Sequence, residues 1–245
     1  MNDYLYDGTY SSLLGLIYTL IKSKTIPNVI KREDEYISNL FMEPIYLKLE
    51  NKELINSLKK EVSMLVLYTA YYIYLSNVNN KEMIIYGFIK NAIKYKNTVF
   101  YRRDIYVVSE AIRISNQVKG EAHRMKGFLR FKKMKNFYYA TIEPTHNIIW
   151  IITRHFKDRL KDECWIIKDS KRGVYAIYDL KKVTYLQEND IIKLNLDLSD
   201  DETLFEDLWK TFFKTVAIKE RENLKCQMNH APKKYWNNML EMEDL

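Results

Sequence analysis

The predominant spacing of apolar residues changes near the middle of the chain, and this change constrains the fold more than any other feature of the sequence. Up to about residue 120 the apolar residues recur at helical spacing, as in Leu13, Ile17 and Ile21. Later segments alternate between apolar and polar residues, as strands do. The change falls within 121–131, read E-A-H-R-M-K-G-F-L-R-F, where a glycine separates a helix-compatible run from an alternating run.

Together the two patterns predict an α+β fold, with a helix-rich first half and an antiparallel sheet in the second half. The predicted helices lie at 9–21, 51–75, 82–95, 104–119, 147–159 and 204–213. The predicted strands lie at 3–7, 45–49, 128–132, 137–143, 163–169, 173–178 and 182–186, and the first strand is expected to join the sheet. Residues 1–245 are expected to form a single compact domain, with a helical part at about 9–120, a sheet part at about 121–190 and C-terminal helices at about 200–240.

Composition places the chain among globular proteins of a reducing compartment. A hydrophobic content of 47% with 29% charged residues supplies a core without covalent staples. The two cysteines, Cys164 and Cys226, are far apart and show neither metal-ligand spacing nor a disulfide framework. The longest apolar runs are too short to span a bilayer, and the N-terminus does not read as a signal peptide. We therefore expect a cytoplasmic protein without a membrane partner.

Basic residues are concentrated in the middle of the chain. Residues 119–161 contain eleven lysines and arginines against three acids, a net charge of +8, whereas the whole chain carries +7. A basic middle in an otherwise balanced chain indicates an anionic partner, such as DNA or another nucleic acid. The alternative is a lysine-rich, solvated surface that binds no ligand.

The first candidate site lies at the change of spacing. His123, Arg124 and Lys126 fall within about one helical turn, and Arg130 lies on the predicted strand that follows. An imidazole beside cations resists protonation and can act as a neutral base or hydrogen-bond donor, while the cations can bind phosphate. The alternative is a helix C-terminus whose basic side chains complement the helix dipole, with Gly127 as the C-cap.

Two further clusters repeat this chemistry. Arg154, His155 and Arg159 lie near the end of a predicted helix, where His155 alone is more often a structural hydrogen-bonding residue. Asp169 and Arg172 flank a predicted turn between two strands. Asp169 is a candidate general base, but capping the turn is the commoner role for such an aspartate.

A fourth cluster lies near the end of the chain. Arg221, Asn223 and Gln227 carry side chains that can read bases or sugars, and Trp236 can stack on a base. The alternative is that these residues tie down the C-terminal tail.

Several common catalytic and cofactor motifs are missing from the sequence. It contains no G-x-x-x-x-G-K, no G-x-G-x-x-G and no G-x-S-x-G, and six glycines leave little scope for a glycine-rich phosphate loop. Two cysteines cannot hold an iron–sulfur cluster, and the histidines lack the nearby ligands of a zinc site. We expect neither a metal nor a cofactor in this chain.

An ordered series of motifs resembles one bacterial family nearly from end to end. The series is Y-L-Y-D-G-T, E-A-H-R-M-K-G-F-L-R-F, Y-Y-A-T-I-E-P-T-H-N-I-I, R-H-F-K-D-R, W-I-I-K-D-S-K-R, and finally R-E-N-L-K-C-Q with P-K-K-Y-W. These motifs look like the family described as "probable DNA metabolism protein", a domain of unknown function. One departure is Lys168, where the family pattern leads us to expect histidine, and this weakens a catalytic role for that position.

The resemblance implies a role in DNA repair or modification. Members of that family occur beside a radical-SAM protein with a DNA-binding-type helix-hairpin-helix, and in other bacteria they are fused to a domain like uracil-DNA glycosylase. A fused domain of that kind is not expected here because the motifs fill the chain. Any iron–sulfur chemistry would belong to the radical-SAM partner.

The leading hypothesis is a DNA-binding accessory protein that works with a radical-SAM enzyme. Its basic face would include the five cations Arg124, Lys126, Arg130, Arg159 and Arg172, beside a cleft with three candidate catalytic residues, His123, His155 and Asp169. One alternative is an enzyme in its own right, acting on a damaged base or nucleotide, which requires those three groups to converge. Another is a protein-interaction module that docks through the helix at 204–213 or through the pair at 235–236. The sequence leaves open whether the chain is catalytic.

Overall fold

A computed structural model of the chain describes residues 2–37, 43–47, 52–134, 137–188, 228–229 and 231–238. Contacts divide the chain into two compact units, Met1–Gly120 and Glu121–Leu245. The expectation of a single domain stays a prediction.

The α+β class with a helical first half is confirmed. The helices are α1 (Tyr10–Lys22), α2 (Lys52–Glu61), α3 (Met64–Tyr74), α4 (Lys81–Tyr95), α5 (Tyr106–Phe128) and α6 (Ile149–Arg159). The strands are β1 (Asp3–Tyr6), β2 (Val29–Arg32), β3 (Ile45–Tyr46), β4 (Lys132–Lys133), β5 (Tyr138–Ile142), β6 (Trp165–Asp169), β7 (Val174–Tyr178) and β8 (Val183–Gln187). Short 3-10 turns lie at Glu33–Glu35, Lys96–Tyr101 and Lys233–Asn238.

The first unit contains a small parallel sheet with the strand order β2-β1-β3. The prediction that β1 joins the sheet of the second half is wrong. Helix α1 carries the chain back so that β2 runs parallel to β1, and this crossover closes a separate sheet. Thr9 is the N-cap of α1, and its hydroxyl accepts a hydrogen bond from the Ser12 amide at 3.2 Å.

The helix predicted at 51–75 is two helices. Helix α2 ends at Glu61, and Ser63, with extended backbone, begins α3. This break lets Leu58 and Val66 enter the same core from different helix axes. Buried residues of α1, α3, α4 and the first part of α5 complete that core.

Helix α5 continues through Gly127, so the predicted helix end is wrong, and only the last residue of the strand predicted at 128–132 lies in a strand, β4. The Leu129 amide still donates to the Met125 carbonyl at 2.9 Å. Ala122, Met125 and Leu129 are all buried, and their spacing of three and four residues extends the apolar face of the helix. Gly127 is helical rather than a C-cap, and a Cβ there would meet nothing within 4 Å. Burial of this face outweighs the weak helix propensity of glycine.

The second unit is built on a five-stranded sheet with the order β4-β5-β6-β7-β8. The predicted hairpin between β4 and β5 is confirmed, as are antiparallel pairs β6–β7 and β7–β8. Strands β5 and β6 run parallel, with Tyr138 opposite Trp165 and Ile142 opposite Asp169. The sheet is therefore mixed, which corrects the antiparallel prediction. Helix α6 is the reason, because it returns the chain to the edge at which β5 began.

Candidate functional site

Strand β5, helix α6 and strand β6 form a βαβ unit whose two ends both carry charged residues. Helix α6 has 11 residues, so at about 1.5 Å per residue the two ends lie roughly 16 Å apart. One end joins the start of β5 to the last turn of α6. The other joins the carboxyl ends of β5 and β6 to the start of α6. The last turns of α5 supply Lys126 to the first end and Glu121 to the second.

An open cavity of about 570 Å³ lies at the first end. Its walls are Lys126, Gly127, Leu129, Arg130, Phe131, Tyr138, Phe156, Arg159 and Leu160. Three of these nine residues are ionisable at neutral pH and all three are cations, whereas the wall includes no aspartate or glutamate. The remaining wall is apolar or aromatic. The volume falls within the range of about 300 to 1,000 Å³ that is usual for small-molecule sites.

The cations of the cavity differ in how they are held. The Arg130 guanidinium donates from Nη1 to the Gly127 carbonyl at 2.8 Å, which fixes it at the end of α5. Lys126 and Arg159 make no ion pair with the residues that the structure describes. The positive charge of the cavity is therefore not neutralised by these residues.

His155 lies beside these cations on α6. Its pKa is lowered by burial first and then by the positive charges of Lys126 and Arg159, against a smaller opposing effect of Asp158. The ring centroid of His155 lies 5.1 Å from that of Phe156, which forms part of the cavity wall. Near neutral pH the imidazole is therefore uncharged, as expected for a histidine among cations.

The aromatic residues of the cavity fall into two groups. Phe131 packs edge-on against Phe156, with ring centroids 5.2 Å apart, and lies 6.3 Å from the buried Trp165. These rings form a fixed floor. Tyr138 is half-buried at the start of β5, and its ring pairs with no other ring among the described residues. Among the aromatic side chains of the wall, Tyr138 alone is not part of this floor.

The second end contains a buried clamp, which consists of Glu121, Asp169 and Arg172 around the segment 144–146. Arg172 bridges three groups: its Nη1 donates to Asp169 Oδ2 at 3.0 Å and to the Pro144 carbonyl at 3.3 Å, and its Nη2 donates to the Thr145 carbonyl at 2.7 Å. One guanidinium thereby ties the loop after β5 to the end of β6.

Glu121 holds the other side of the same loop from helix α5. Its carboxylate accepts the Thr145 amide at 3.0 Å and the His146 amide at 2.8 Å. The Tyr235 hydroxyl also donates to Glu121 at 3.4 Å, and Arg124 Nε donates to that hydroxyl at 3.4 Å. The Glu121 carboxylate thus accepts the N–H groups of the loop, and the Arg172 guanidinium donates to its carbonyl groups.

The acids of the clamp are buried, with Glu121 1% and Asp169 0% exposed. Burial raises the pKa of Asp169, and the Arg172 guanidinium opposes that rise. Asp169 Oδ1 also accepts the Lys171 amide at 3.1 Å, which caps the turn after β6. These contacts agree with the turn-capping role that the sequence favoured. Lys168, next to it, pairs with Glu188 at 2.8 Å.

The structure separates the predicted site residues into distinct places. Lys126, Arg130 and Arg159 meet at the cavity, whereas Arg124 and Arg172 belong to the clamp and its surroundings. His123 and Arg154 are exposed on their helices. Of the three catalytic candidates, His155 lies beside the cavity, Asp169 lies in the clamp and His123 faces solvent, and none lines the cavity wall. The convergence that an enzyme hypothesis requires is not visible in these contacts.

The C-terminal segment packs on helix α5. The Tyr235 ring lies 5.5 Å from that of Phe128, and the Trp236 indole N–H donates to the Ala231 carbonyl at 2.7 Å. Tyr235 is buried and Trp236 is half-buried, and the contact of Trp236 matches the alternative in which this residue ties down the C-terminal tail. The candidates Arg221, Asn223 and Gln227 and the predicted helix at 204–213 lie outside the described residues.

Sequence reasoning missed Glu121, Tyr138 and Tyr235 as parts of these sites. One signal for Glu121 was available, because it follows Val118 by three residues and precedes Met125 by four. A charged residue inside an apolar helical stripe marks a buried, hydrogen-bonded group. No comparable pattern distinguishes Tyr138 or Tyr235 from the other tyrosines of the chain, which number 20 in all.

A family model described as "Domain of unknown function (DUF4130)" matches residues 79–241, about two thirds of the chain. The match includes the cavity and the clamp. No curated protein and no solved structure matches the chain. The described helices include none with the length and apolarity needed to cross a bilayer. In the same part of the chain, no three His, Cys, Asp or Glu side chains come together as metal ligands.

Proposed function

The chain belongs to the family described as a domain of unknown function (DUF4130), and we propose that it is a nucleic-acid-binding accessory protein in DNA repair or modification. The observation that carries this proposal is the charge of the cavity. All three ionisable residues of its wall are cations, and Lys126 and Arg159 have no ion-pair partner among the described residues. Such a site favours a phosphate group of a polyanion.

The surroundings of the cavity extend the positive surface. Arg154 is exposed one to two turns before Arg159 on α6, and Lys132 is exposed on β4. A strand that places one phosphate at the cavity would place neighbouring phosphates near these cations. Each phosphate neutralised releases counterions, so binding to such a surface weakens with salt.

The partner in this proposal is a radical-SAM protein. Support comes from the ordered motifs, which resemble a family that occurs beside such a protein. The iron–sulfur chemistry would lie in that partner, because two cysteines in this chain are too few for a cluster. The chain would hold the nucleic acid while the partner acts on it.

The proposal is tested by fluorescence anisotropy with a labelled single strand and a labelled duplex, over a salt series from about 50 to 200 mM. We expect affinity to fall linearly with salt on logarithmic axes. The double variant Lys126→Gln/Arg159→Gln should bind more weakly and should lower the slope by roughly 1.4 to 1.8, which is two phosphate contacts.

A matched control is Arg103→Gln, which removes an exposed arginine without an ion pair in the described part of the first unit. It should leave both the affinity and the slope unchanged. The assay is repeated with the radical-SAM partner present. Absence of binding in both conditions, binding without salt dependence, or equal losses in the cavity variant and the control would each contradict the proposal.

A further inference from the structure

We infer that the cavity is a pocket for one unpaired nucleotide, with Tyr138 stacking on the base and the cations holding the phosphate. The inference rests on the proposed function and adds the part of the nucleic acid that is recognised. Its starting point is that the cavity wall combines two chemistries. Cations alone would serve a phosphate, but six of the nine wall residues carry no charge at neutral pH.

Tyr138 is the residue that the geometry assigns to the base. Its half-buried ring lines the cavity, and no other ring among the described residues packs on it. Phe131 and Phe156, which line the same cavity, are already fixed because they pack against each other at 5.2 Å. A flat ring beside a rigid apolar floor is a stacking platform that accepts any base.

The position of the cations complements this platform. Lys126 lies on the last turns of α5 and Arg159 on the last turn of α6, so they approach the cavity from two different helices. Arg130, which also lines the cavity, is held by the carbonyl of Gly127 at 2.8 Å. A nucleotide carries its negative charge at one end and its flat base at the other. The cations of the cavity match the phosphate, and the Tyr138 ring matches the base.

The size of the cavity bears on which part of a nucleic acid it can hold. A volume of about 570 Å³ accommodates one nucleotide. A base paired within a duplex cannot reach a pocket of this kind unless it leaves the stack. The preferred nucleic acid is therefore a single strand, or a duplex with an unpaired or extruded nucleotide.

The test compares three ligands that share a phosphate: thymidine 5′-monophosphate, 2-deoxyribose 5-phosphate and inorganic phosphate. Binding to the full chain is followed by NMR titration of backbone amides. We expect the nucleotide to bind roughly 5- to 150-fold more tightly than the sugar phosphate, which is the usual contribution of stacking one base on an aromatic ring. The shifted amides should include those of Tyr138 and Arg159.

Two substitutions at one position separate stacking from folding. Tyr138→Phe keeps the ring and should keep the preference for the nucleotide. Tyr138→Leu removes the ring and should reduce the nucleotide affinity to that of the sugar phosphate. The affinity for the sugar phosphate should be the same in all three proteins, which reports directly that the leucine variant retains its fold.

The outcomes distinguish this inference from the proposed function. Equal affinities for nucleotide and sugar phosphate in the unsubstituted protein overturn the nucleotide pocket, even if salt-dependent DNA binding is present and needs Lys126 and Arg159. A base-dependent affinity for the nucleotide without any affinity for DNA would support the pocket and overturn the DNA role. Full retention of the preference in Tyr138→Leu overturns the assignment of Tyr138.

Discussion

The cavity and the clamp lie at opposite ends of one βαβ unit, and both are rich in charge, but they use that charge in opposite ways. In the clamp, the buried carboxylates of Glu121 and Asp169 accept hydrogen bonds from the groups around them. In the cavity, Lys126 and Arg159 make no ion pair with the described residues. Paired charges fix the backbone, whereas unpaired charges remain available to a ligand.

Helix α5 connects the two arrangements. Glu121 lies about one and a half turns before Lys126 on the same helix. Helix α5 therefore contributes the Glu121 carboxylate to the clamp and the Lys126 ammonium group to the cavity. The clamp holds the loop from which α6 begins, and α6 carries Arg159 at its other end. The physical role of the clamp is then to set the position of the helix that supplies half of the cavity.

The largest expected effect is the loss of Arg172, because it leaves Asp169 buried without its cation. We expect Arg172→Met to lower the free energy of unfolding by about 3 to 5 kcal/mol, measured by urea denaturation at pH 7. The control is Arg113→Met, which breaks the exposed pair with Glu110 at 2.7 Å. That variant should lose less than about 1 kcal/mol.

A pH series identifies the cause of the loss in Arg172→Met. The pKa of Asp169 is already raised by burial, and removal of the guanidinium raises it further. A folded-state pKa above the unfolded value means that the native state binds more protons, so the deficit should shrink as the pH falls. Adding Asp169→Asn to the same protein should restore part of the stability at pH 7. A deficit that is independent of pH would show that lost packing, not the buried charge, is responsible.

A smaller loss is expected when Glu121 becomes glutamine. The amides of Thr145 and His146 donate to different oxygens of the carboxylate, and in glutamine an NH2 group replaces one of these oxygens, so one of the two hydrogen bonds is lost in this geometry. We expect Glu121→Gln to lower the free energy of unfolding by about 1.5 to 3 kcal/mol. Tyr235→Phe removes two long hydrogen bonds, the 3.4 Å donation to the same carboxylate and the 3.4 Å donation from Arg124, and serves as the weaker comparison. Equal losses in the two variants would contradict the role given to Glu121.

The cavity should show the reverse behaviour. Because Lys126 and Arg159 make no ion pair with the described residues, their replacement by glutamine removes repulsion and no partner. We expect each single variant to change the free energy of unfolding by no more than about 0.5 kcal/mol. Urea denaturation of the proteins prepared for the anisotropy assay measures this directly. A loss of the size seen in the clamp would mean that these cations serve the fold.

How much of this arrangement the sequence could predict depends on the range of the contacts involved. The change of spacing correctly predicted a helical first half and a sheet in the second half, because apolar periodicity is a local property. The end of α5 was misplaced because the burial of Met125 and Leu129 outweighs the weak helix propensity of Gly127. The separate sheet of β1 and the parallel pair β5–β6 depend on which strands meet in space, which periodicity does not encode.

The candidate site divides in the same manner. The basic window from residue 119 to 161 correctly contained Lys126, Arg130 and Arg159, because composition alone reveals it. Glu121 and Tyr235 are 114 positions apart in sequence, so their hydrogen bond was invisible to any local pattern. Asp169 and Arg172 were placed at one turn, but their ion pair was not predicted. Sequence reasoning thus found the charges but not which of them would be neutralised.

The smallest expected effect on stability concerns His155, which lies beside the cations of the cavity. Its pKa is lowered by burial and by Lys126 and Arg159, so in the native state it stays neutral below the ordinary histidine value of about 6.5. The unfolded chain then binds more protons than the native state. This contribution to stability is present above pH 6.5 and is lost as the pH falls through the lowered pKa. The difference in unfolding free energy between the unsubstituted protein and His155→Gln should therefore decline between about pH 7.5 and 5.5.

A bound phosphate should alter this titration, and that links the histidine to the ligand. An anion between Lys126 and Arg159 offsets the charges that depress the pKa of His155, although burial continues to depress it. NMR titration of the imidazole should show a higher pKa in the presence of thymidine 5′-monophosphate. By thermodynamic reciprocity, protonation of His155 should tighten the binding of the nucleotide dianion by the factor that corresponds to this shift in pKa. An unchanged pKa of His155 with nucleotide bound would place the phosphate away from the two cations. The unpaired charges of the cavity would then serve a ligand other than this nucleotide.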